Sequence, residues 1–240
     1  MKVSEYMNNY LAIDTSTDIC SLAIQVNDKI YNINSNSKDK KNNQIILTLL
    51  DDLLNKANIS LNNLDSIVFS AGPGSFTGLR VAASVAQALA FANNLKIIKL
   101  SSLQVIAEFL RKDQDKIKDN QKIYIAQDAR KDEIYFACYT KDDFLNYKYV
   151  KEQLYTNSQI IELLKQDNNL TNNYYLGNAW SVIAELNEFC ANYDLKYSKA
   201  SYPDVQYSFE LAEHYFSNGN LIDAELAIPI YIRNNIVNNK

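Results

Sequence analysis

Apolar and polar positions along this chain form two patterns, short apolar runs and helical spacing. Tyr10–Asp14 and Ile19–Val26 are short apolar runs bounded by polar turn residues, which predicts two strands joined through Asp14-Thr15-Ser16. Residues 30–33 offer a third strand. Between residues 40 and 57 the apolar side chains Ile45, Ile46, Leu49, Leu50, Leu53, Leu54 and Ala57 recur at helical spacing, with charges opposite. A strand over Ser66–Ser70 runs into a glycine-rich loop at 72–78 and then a helix over 79–92. Lys96–Leu100 reads as another strand, and Ser101-Ser102 caps a helix over 103–111. Strands alternating with helices predict α/β architecture.

The stretch 111–121 is polar and charged, which sets an expected division into an N-terminal lobe (1–110) and a C-terminal lobe (111–240), with the last helix packing back across it. Beyond that point the pattern restarts. I-Y-I-A-Q-D-A-R-K-D-E-I-Y-F-A-C-Y-T repeats the strand, aspartate-centred turn and strand of Y-L-A-I-D-T-S-T-D-I-C-S-L-A-I-Q-V, so Asp14 and Asp128 fall at equivalent hairpin turns. A duplicated lobe whose first hairpin carries an aspartate predicts a two-lobed α/β fold of the actin, hexokinase and Hsp70 ATPase (ASKHA) type, with duplicated mixed β-sheet lobes.

Charge narrows the chemistry. The 240 residues hold 24 Lys and Arg against 28 Asp and Glu, a net charge of -4. Phosphate neutralisation supplies most nucleic-acid affinity, so unaided RNA or DNA binding by the whole chain is not expected. One histidine, His214, rules out a metal site needing two imidazoles, and its place in an amphipathic helix points to a structural or solvent-facing role. Cys20, Cys138 and Cys190 are far apart with no C-x-x-C, as buried thiols of a reducing cytoplasm would be. No secretory h-region opens the sequence, Met7 offers an alternative start, and no apolar run is long enough to span a bilayer. The 30 asparagines fit codon bias acting on surface positions.

The strongest local motif is A-G-P-G-S-F-T-G-L-R at 71–80, which holds three of the five glycines. Glycines permit close backbone approach, and the helix that follows opens with free N–H groups. The loop therefore either touches a phosphate or a partner's backbone, or is a tight strand-to-helix connection. It is not a Walker A loop, because no G-K-[ST] closes it, and it is not a nucleophile elbow, because Phe76 stands where G-x-S-x-G needs serine. Asp14 and Asp128 could ligate a magnesium–nucleotide complex or could simply accept local backbone N–H bonds. The helix over 79–92 is apolar almost all round, so either its own fold or another chain must cover it.

D-T-S, G-P-G-S-F-T-G-L-R, the S-S-L at 101–103, D-A-R-x-x-E-x-Y at 128–135 and the closing P-I-Y-I-R at 229–233 occur in the order and spacing of the TsaB (YeaZ) family, which the chain resembles over nearly its whole length. The resemblance implies a non-catalytic accessory subunit for threonylcarbamoyl modification of the adenosine next to the anticodon, in tRNAs reading codons that begin with A. It implies pairing with a TsaD-like transferase as a heterodimer, support of a TsaE-like ATPase, tRNA bound through the complex, and a homodimer in isolation. It also implies no catalytic residue, no metal and no cofactor bound by this chain alone, with ATP or ADP left for the complex interface. Where the transferase has H-x-x-x-H, this chain has Ser102 and Ile106, neither a credible metal ligand at that spacing. Mapped onto this sequence, the partner surface involves Ile45, Ile46, Leu49, Leu50, Leu53, Gly74, Ser75, Phe76, Thr77, Arg80 and Ser84. Nucleotide contact would fall to Asp14, Thr15, Ser16 and Asp128. Many family members carry His-Ser before the first helix's apolar run, where this chain has Lys41-Asn42-Asn43-Gln44. The rival reading is a stand-alone nucleotide-binding module or weak ATPase of the same fold. A peptidase is disfavoured, since a nucleophile elbow and metal histidines are both missing.

Overall fold

The computed structural model describes residues 8–36 and 42–232, with the backbone alone for 42–45. Met7, Lys41, Arg233 and the side chain of Ile45 lie outside what is described. β1 (Tyr10–Asp14), β2 (Ile19–Val26) and β3 (Lys29–Asn36) form an antiparallel meander. α1 (Asn42–Ala57) follows and turns Ile46, Leu50, Leu53 and Ala57 onto the sheet, an i, i+4, i+7, i+11 stripe. β4 (Ser66–Ser70), α2 (Phe76–Asn93) and β5 (Lys96–Leu100) complete a five-stranded sheet in the order β3-β2-β1-β4-β5, with β4 parallel to β1 and β5 parallel to β4. α2 begins three residues earlier than the apolar pattern predicts, because Ser75 caps it by accepting the Gly78 N–H at 3.3 Å. Asn94, in the left-handed region, ends it.

The predicted helix over 103–111 is an α-helix only over Ser102–Ala107 (α3); Glu108–Lys116 continues as 3-10 turns. The stretch that reads as polar surface is partly interior. Arg111 is buried, forks onto the Glu108 carboxylate at 2.8 and 2.7 Å, donates to the Phe144 carbonyl and lies between the Phe144 and Tyr147 rings, 4.1 Å from each. A bidentate pair three residues apart satisfies both charges where water is excluded.

The order then repeats. β6 (Lys122–Arg130) and β7 (Glu133–Thr140) form a hairpin, α4 (Lys141–Leu145) leads to β8 (Gln153–Thr156), α5 (Asn157–Lys165) leads to β9 (Tyr174–Leu176), and α6 (Ala179–Val182) and α7 (Ala184–Asn192) follow. The second sheet runs β8-β7-β6-β9, antiparallel except for β9 alongside β6. In place of β5 there is a single parallel bridge, Tyr175 to Tyr197. The topology is therefore duplicated, as the repeated hairpin pattern predicts, and the fold is of the actin-like ATPase type.

Contacts group the chain into two units, one of Met1–Val105 with Pro203–Ile230, the other of Ile106–Tyr202 with Tyr231–Lys240. The late segment joins unit 1 through α8 (Phe209–Ser217): the Tyr10 ring packs on Phe209 and Phe216, and its hydroxyl donates to the Glu213 carboxylate at 2.7 Å. Asn8 donates to the same carboxylate.

Candidate functional site

In unit 1 the glycine loop lies on the first hairpin. The Ser75 N–H donates to the Ser16 carbonyl at 2.7 Å, and the Thr15 hydroxyl donates to the Gly78 carbonyl at 2.6 Å. A Cβ on Gly74 would stand 2.5 Å from the Ser16 carbonyl oxygen, and one on Gly78 only 1.8 Å from that of Thr15. Backbone thus meets backbone, at a distance any side chain would prohibit. The partner of this loop is the chain's own hairpin.

Asp14, Thr15 and Ser16 are buried. The Asp14 carboxylate accepts the Ser16 N–H at 2.9 Å and the Ser16 hydroxyl at 3.0 Å. Burial pushes its pKa up to about 6, against the pull of the Ser70 hydroxyl and of Ser16. The hydrogen-bond partners of these side-chain oxygens all belong to unit 1. In unit 2, Asp128 is half-buried and repeats the local geometry, its Oδ1 accepting the Arg130 N–H two residues on at 2.8 Å. Its own N–H donates to Asn178 Oδ1 at 2.8 Å. Both aspartates are therefore Asx-type turn residues of equivalent hairpins. His214 is half-buried on α8. Burial raises all three thiols, Cys20 to about 12 and Cys138 and Cys190 to about 11, so none is a ready nucleophile. No group of three or more His, Cys, Asp or Glu among the described residues is placed to hold a metal, and no described helix is long and apolar enough to cross a membrane.

The residues assigned to a partner surface divide. Ile46, Leu50 and Leu53 are buried in the core of unit 1, which corrects the expectation that these three face a partner, whereas Leu49 is half-buried and keeps part of its surface exposed. The stripe is apolar because it meets the chain's own sheet. Ser75, Phe76, Thr77, Arg80 and Ser84 are exposed along α2, with Gly74 half-buried at its foot. The Arg80 guanidinium lies 3.8 Å over the Phe76 ring. The inward side of α2 is built from Ala82, Ala83, Ala86 and Ala90; the outward side keeps Phe76 55 % exposed and Phe91 82 % exposed, with Ala88 and Ala92 between and beside them. Leu47 on α1 is 60 % exposed. The described residues of unit 1 thus leave one side of α2 uncovered, where Phe76, Ala88, Phe91 and Ala92 are interspersed with Thr77, Arg80 and Ser84. Leu226, Ile228 and Ile230 extend this apolar character, since the Ile230 N–H donates to the Ala71 carbonyl beside the glycine loop and all three side chains are exposed. Phe91 belongs to the apolar helix that the sequence pattern marks, whereas neither Leu47 nor this ridge is singled out as exposed in the sequence analysis. A helical wheel anchored on Ile46, Leu50 and Leu53 would have shown Leu47 out of phase, whereas the ridge has no periodic signal.

The model of the family TsaD, tRNA N6-adenosine threonylcarbamoyltransferase, matches residues 30–237. The chain is 30% identical to the tRNA threonylcarbamoyladenosine biosynthesis protein TsaB of Haemophilus influenzae over 94% of each chain. Its identity to the Escherichia coli protein of the same name is 28%, over 94% of this chain and 95% of that one. A tRNA N6-adenosine threonylcarbamoyltransferase from Prosthecochloris aestuarii is 28% identical over 45% of this chain and 36% of its own length. Among solved structures, YeaZ from Pseudomonas aeruginosa superimposes with a TM-score of 0.75 at 26% identity, covering 94% of this chain and all of that one.

Proposed function

Because the chain belongs to the TsaB family of tRNA threonylcarbamoyladenosine biosynthesis proteins, we propose that it is a non-catalytic accessory subunit of that modification. It pairs with a TsaD-like transferase and supports a TsaE-like ATPase, and the reaction modifies the adenosine beside the anticodon in tRNAs reading codons that begin with A. The observation that carries this reading is the uncovered side of α2, where Phe76, Ala88 and Phe91 are exposed. Small side chains between two exposed aromatic anchors suit a close helix-to-helix approach, and burying such a surface is the main driving force of stable interfaces. A second copy of the chain takes the same face when the transferase is absent.

The chain's own residues contribute positioning rather than bond making. Asp14, Thr15 and Ser16 spend their hydrogen bonds inside unit 1, so an adenine nucleotide, ATP or ADP, is assigned to the assembled complex and not to this hairpin. The acidic excess lies in unit 1, with thirteen Asp and Glu against nine Lys and Arg, which leaves most of the basic surface for tRNA to the partner.

The test is a dropout reconstitution with transferase, ATPase, threonylcarbamoyl-adenylate, ATP and unmodified tRNA, reading modified adenosine by mass spectrometry. Modification is expected only when this chain is present. Equal modification without it removes the accessory role.

A further inference from the structure

Unit 2 carries a segment that the partner surface does not use. After α7 the chain runs from residue 193 to 199 along the edge of the second sheet, where Tyr197 bridges to Tyr175. Leu195 and Ala200 are buried anchors at either side, and main-chain bonds fix the path: Leu195 N–H to the Cys190 carbonyl at 2.8 Å, Ser198 N–H to the Tyr175 carbonyl at 2.8 Å, and Gly177 N–H to the Ala200 carbonyl at 2.7 Å. Lys196, Tyr197 and Lys199 between the anchors, and Tyr193 just before the first of them, face outward, the two rings 44 % and 38 % exposed. Tyr193 is backed by Phe189, with ring centroids 4.5 Å apart, so its outer face is held ready rather than free to turn.

Unit 2 has both ion-paired lysines and lysines without a carboxylate partner among the described residues, Lys118, Lys131, Lys151 and Lys165 being among the latter. Unit 2 holds 15 basic and 15 acidic residues, and Lys116, Lys122, Lys141 and Lys148 each face an aspartate: Asp113, Asp167, Asp119 and Asp142. Lys196 and Lys199 have no carboxylate partner among the described residues, and Asp194 is the one acid within the segment. Rigid aromatic faces interleaved with unneutralised lysines match one chemistry, unstacked bases with their adjoining phosphates.

We infer that residues 193–199 of unit 2 are a direct contact for single-stranded RNA, the tRNA loop in the setting of the proposed function, on which this inference rests. Tyr193 and Tyr197 stack bases, and Lys196 and Lys199 meet phosphates. The contact is weak by itself, which agrees with the absence of a basic excess, and acts by orienting RNA already held by the complex.

The experiment uses the chain in complex with its transferase partner and measures affinity for unmodified tRNA across a salt series. Tyr193→Ala and Tyr197→Ala are each expected to weaken binding about tenfold, a typical stacking loss, while Tyr193→Phe restores it because the ring is kept. The pair Lys196→Gln and Lys199→Gln is expected to lower the salt slope by about 1.4, two single-strand phosphate contacts. Asp194→Asn is expected to tighten binding. Unchanged affinity and slope in variants whose circular dichroism and melting match the parent overturn the inference. So does equal weakening by Tyr193→Phe, which would assign the effect to the hydroxyl rather than to stacking. The accessory role is read separately: if modification still depends on the chain while these variants bind tRNA normally, only the RNA contact falls.

Discussion

The two units share a strand order and differ in almost everything packed around it. Unit 1 has rings at Tyr10, Phe209 and Phe216, but its largest core cluster is mainly aliphatic side chains and the alanines of α2, so that helix and sheet approach closely. Unit 2 fills its interior with rings: Tyr124 packs on Phe136 and Tyr175, at 5.8 and 5.5 Å between centroids, and Tyr175 meets Trp180 edge-on at 5.1 Å. The buried polar atoms of those rings find partners, Tyr124 donating to Asp167, Tyr175 to the Leu170 carbonyl and the Trp180 indole to the Leu176 carbonyl. Unit 1 locks its first hairpin under a glycine loop, whereas the equivalent hairpin of unit 2 leaves Asp128 half-exposed and turns through three left-handed residues, Arg130, Lys131 and Asp132. One topology thus serves two surfaces, an apolar one beside α2 and an aromatic, basic one at the edge of the second sheet.

That contrast can be broken most sharply at the lock. Gly78→Ala would drive a methyl into the Thr15 carbonyl, and a loss of about 4 kcal/mol or more is expected in urea unfolding. Gly219→Ala, where a Cβ meets nothing, costs only about 1 kcal/mol for its left-handed backbone. Similar losses at both sites would show that the loop is not held by close contact.

The paired hairpins differ in how they treat charge. Asp14 has a folded pKa of about 6 against an ordinary 3.8, so between those values the folded chain binds more protons than the unfolded one. Its contribution is therefore fully present below about pH 4 and is lost as pH rises through 6, a fall of about 3 kcal/mol. Asp14→Asn, neutral throughout, should flatten that part of the stability profile, measured by urea unfolding at pH 4 to 8. An unaltered profile would mean that the carboxylate is not desolvated as placed. Asp128→Asn keeps the acceptor for Arg130 and should change stability by no more than about 0.5 kcal/mol.

The smallest effect on folding is expected on the outward side of α2, where the effect on association is large. Phe91→Ser should leave the melting temperature within about two degrees and weaken transferase binding by about thirtyfold, the scale of an anchor residue. Leu50→Glu, on the inward stripe of α1, should instead unfold unit 1, because it places a charge in the core. Normal transferase binding by Phe91→Ser would move the interface elsewhere.

Local rules made the β1–β2 hairpin, the strands β4 and β5 and the repeat at β6–β7 legible, because short apolar runs and the turn residues that bound them lie within a few positions of one another. The family motifs at 14–16, 71–80 and 128–135 were legible for the same reason. What sequence could not supply was phase and distance. The stripe Ile46, Leu50, Leu53 has the spacing of a helix face but not the identity of what it faces, and only the sheet across from it made it interior. Arg111 reads as solvent-facing until Phe144 and Tyr147, more than thirty residues later, close over it. The glycines of the loop announced a close approach, but whether a phosphate, a partner or the chain itself made that approach was decided by the position of Thr15 and Ser16. The sequence determined which segments become strand or helix, because those choices are local; the tertiary structure alone decided which surfaces remain open, because burial depends on residues distant in the chain.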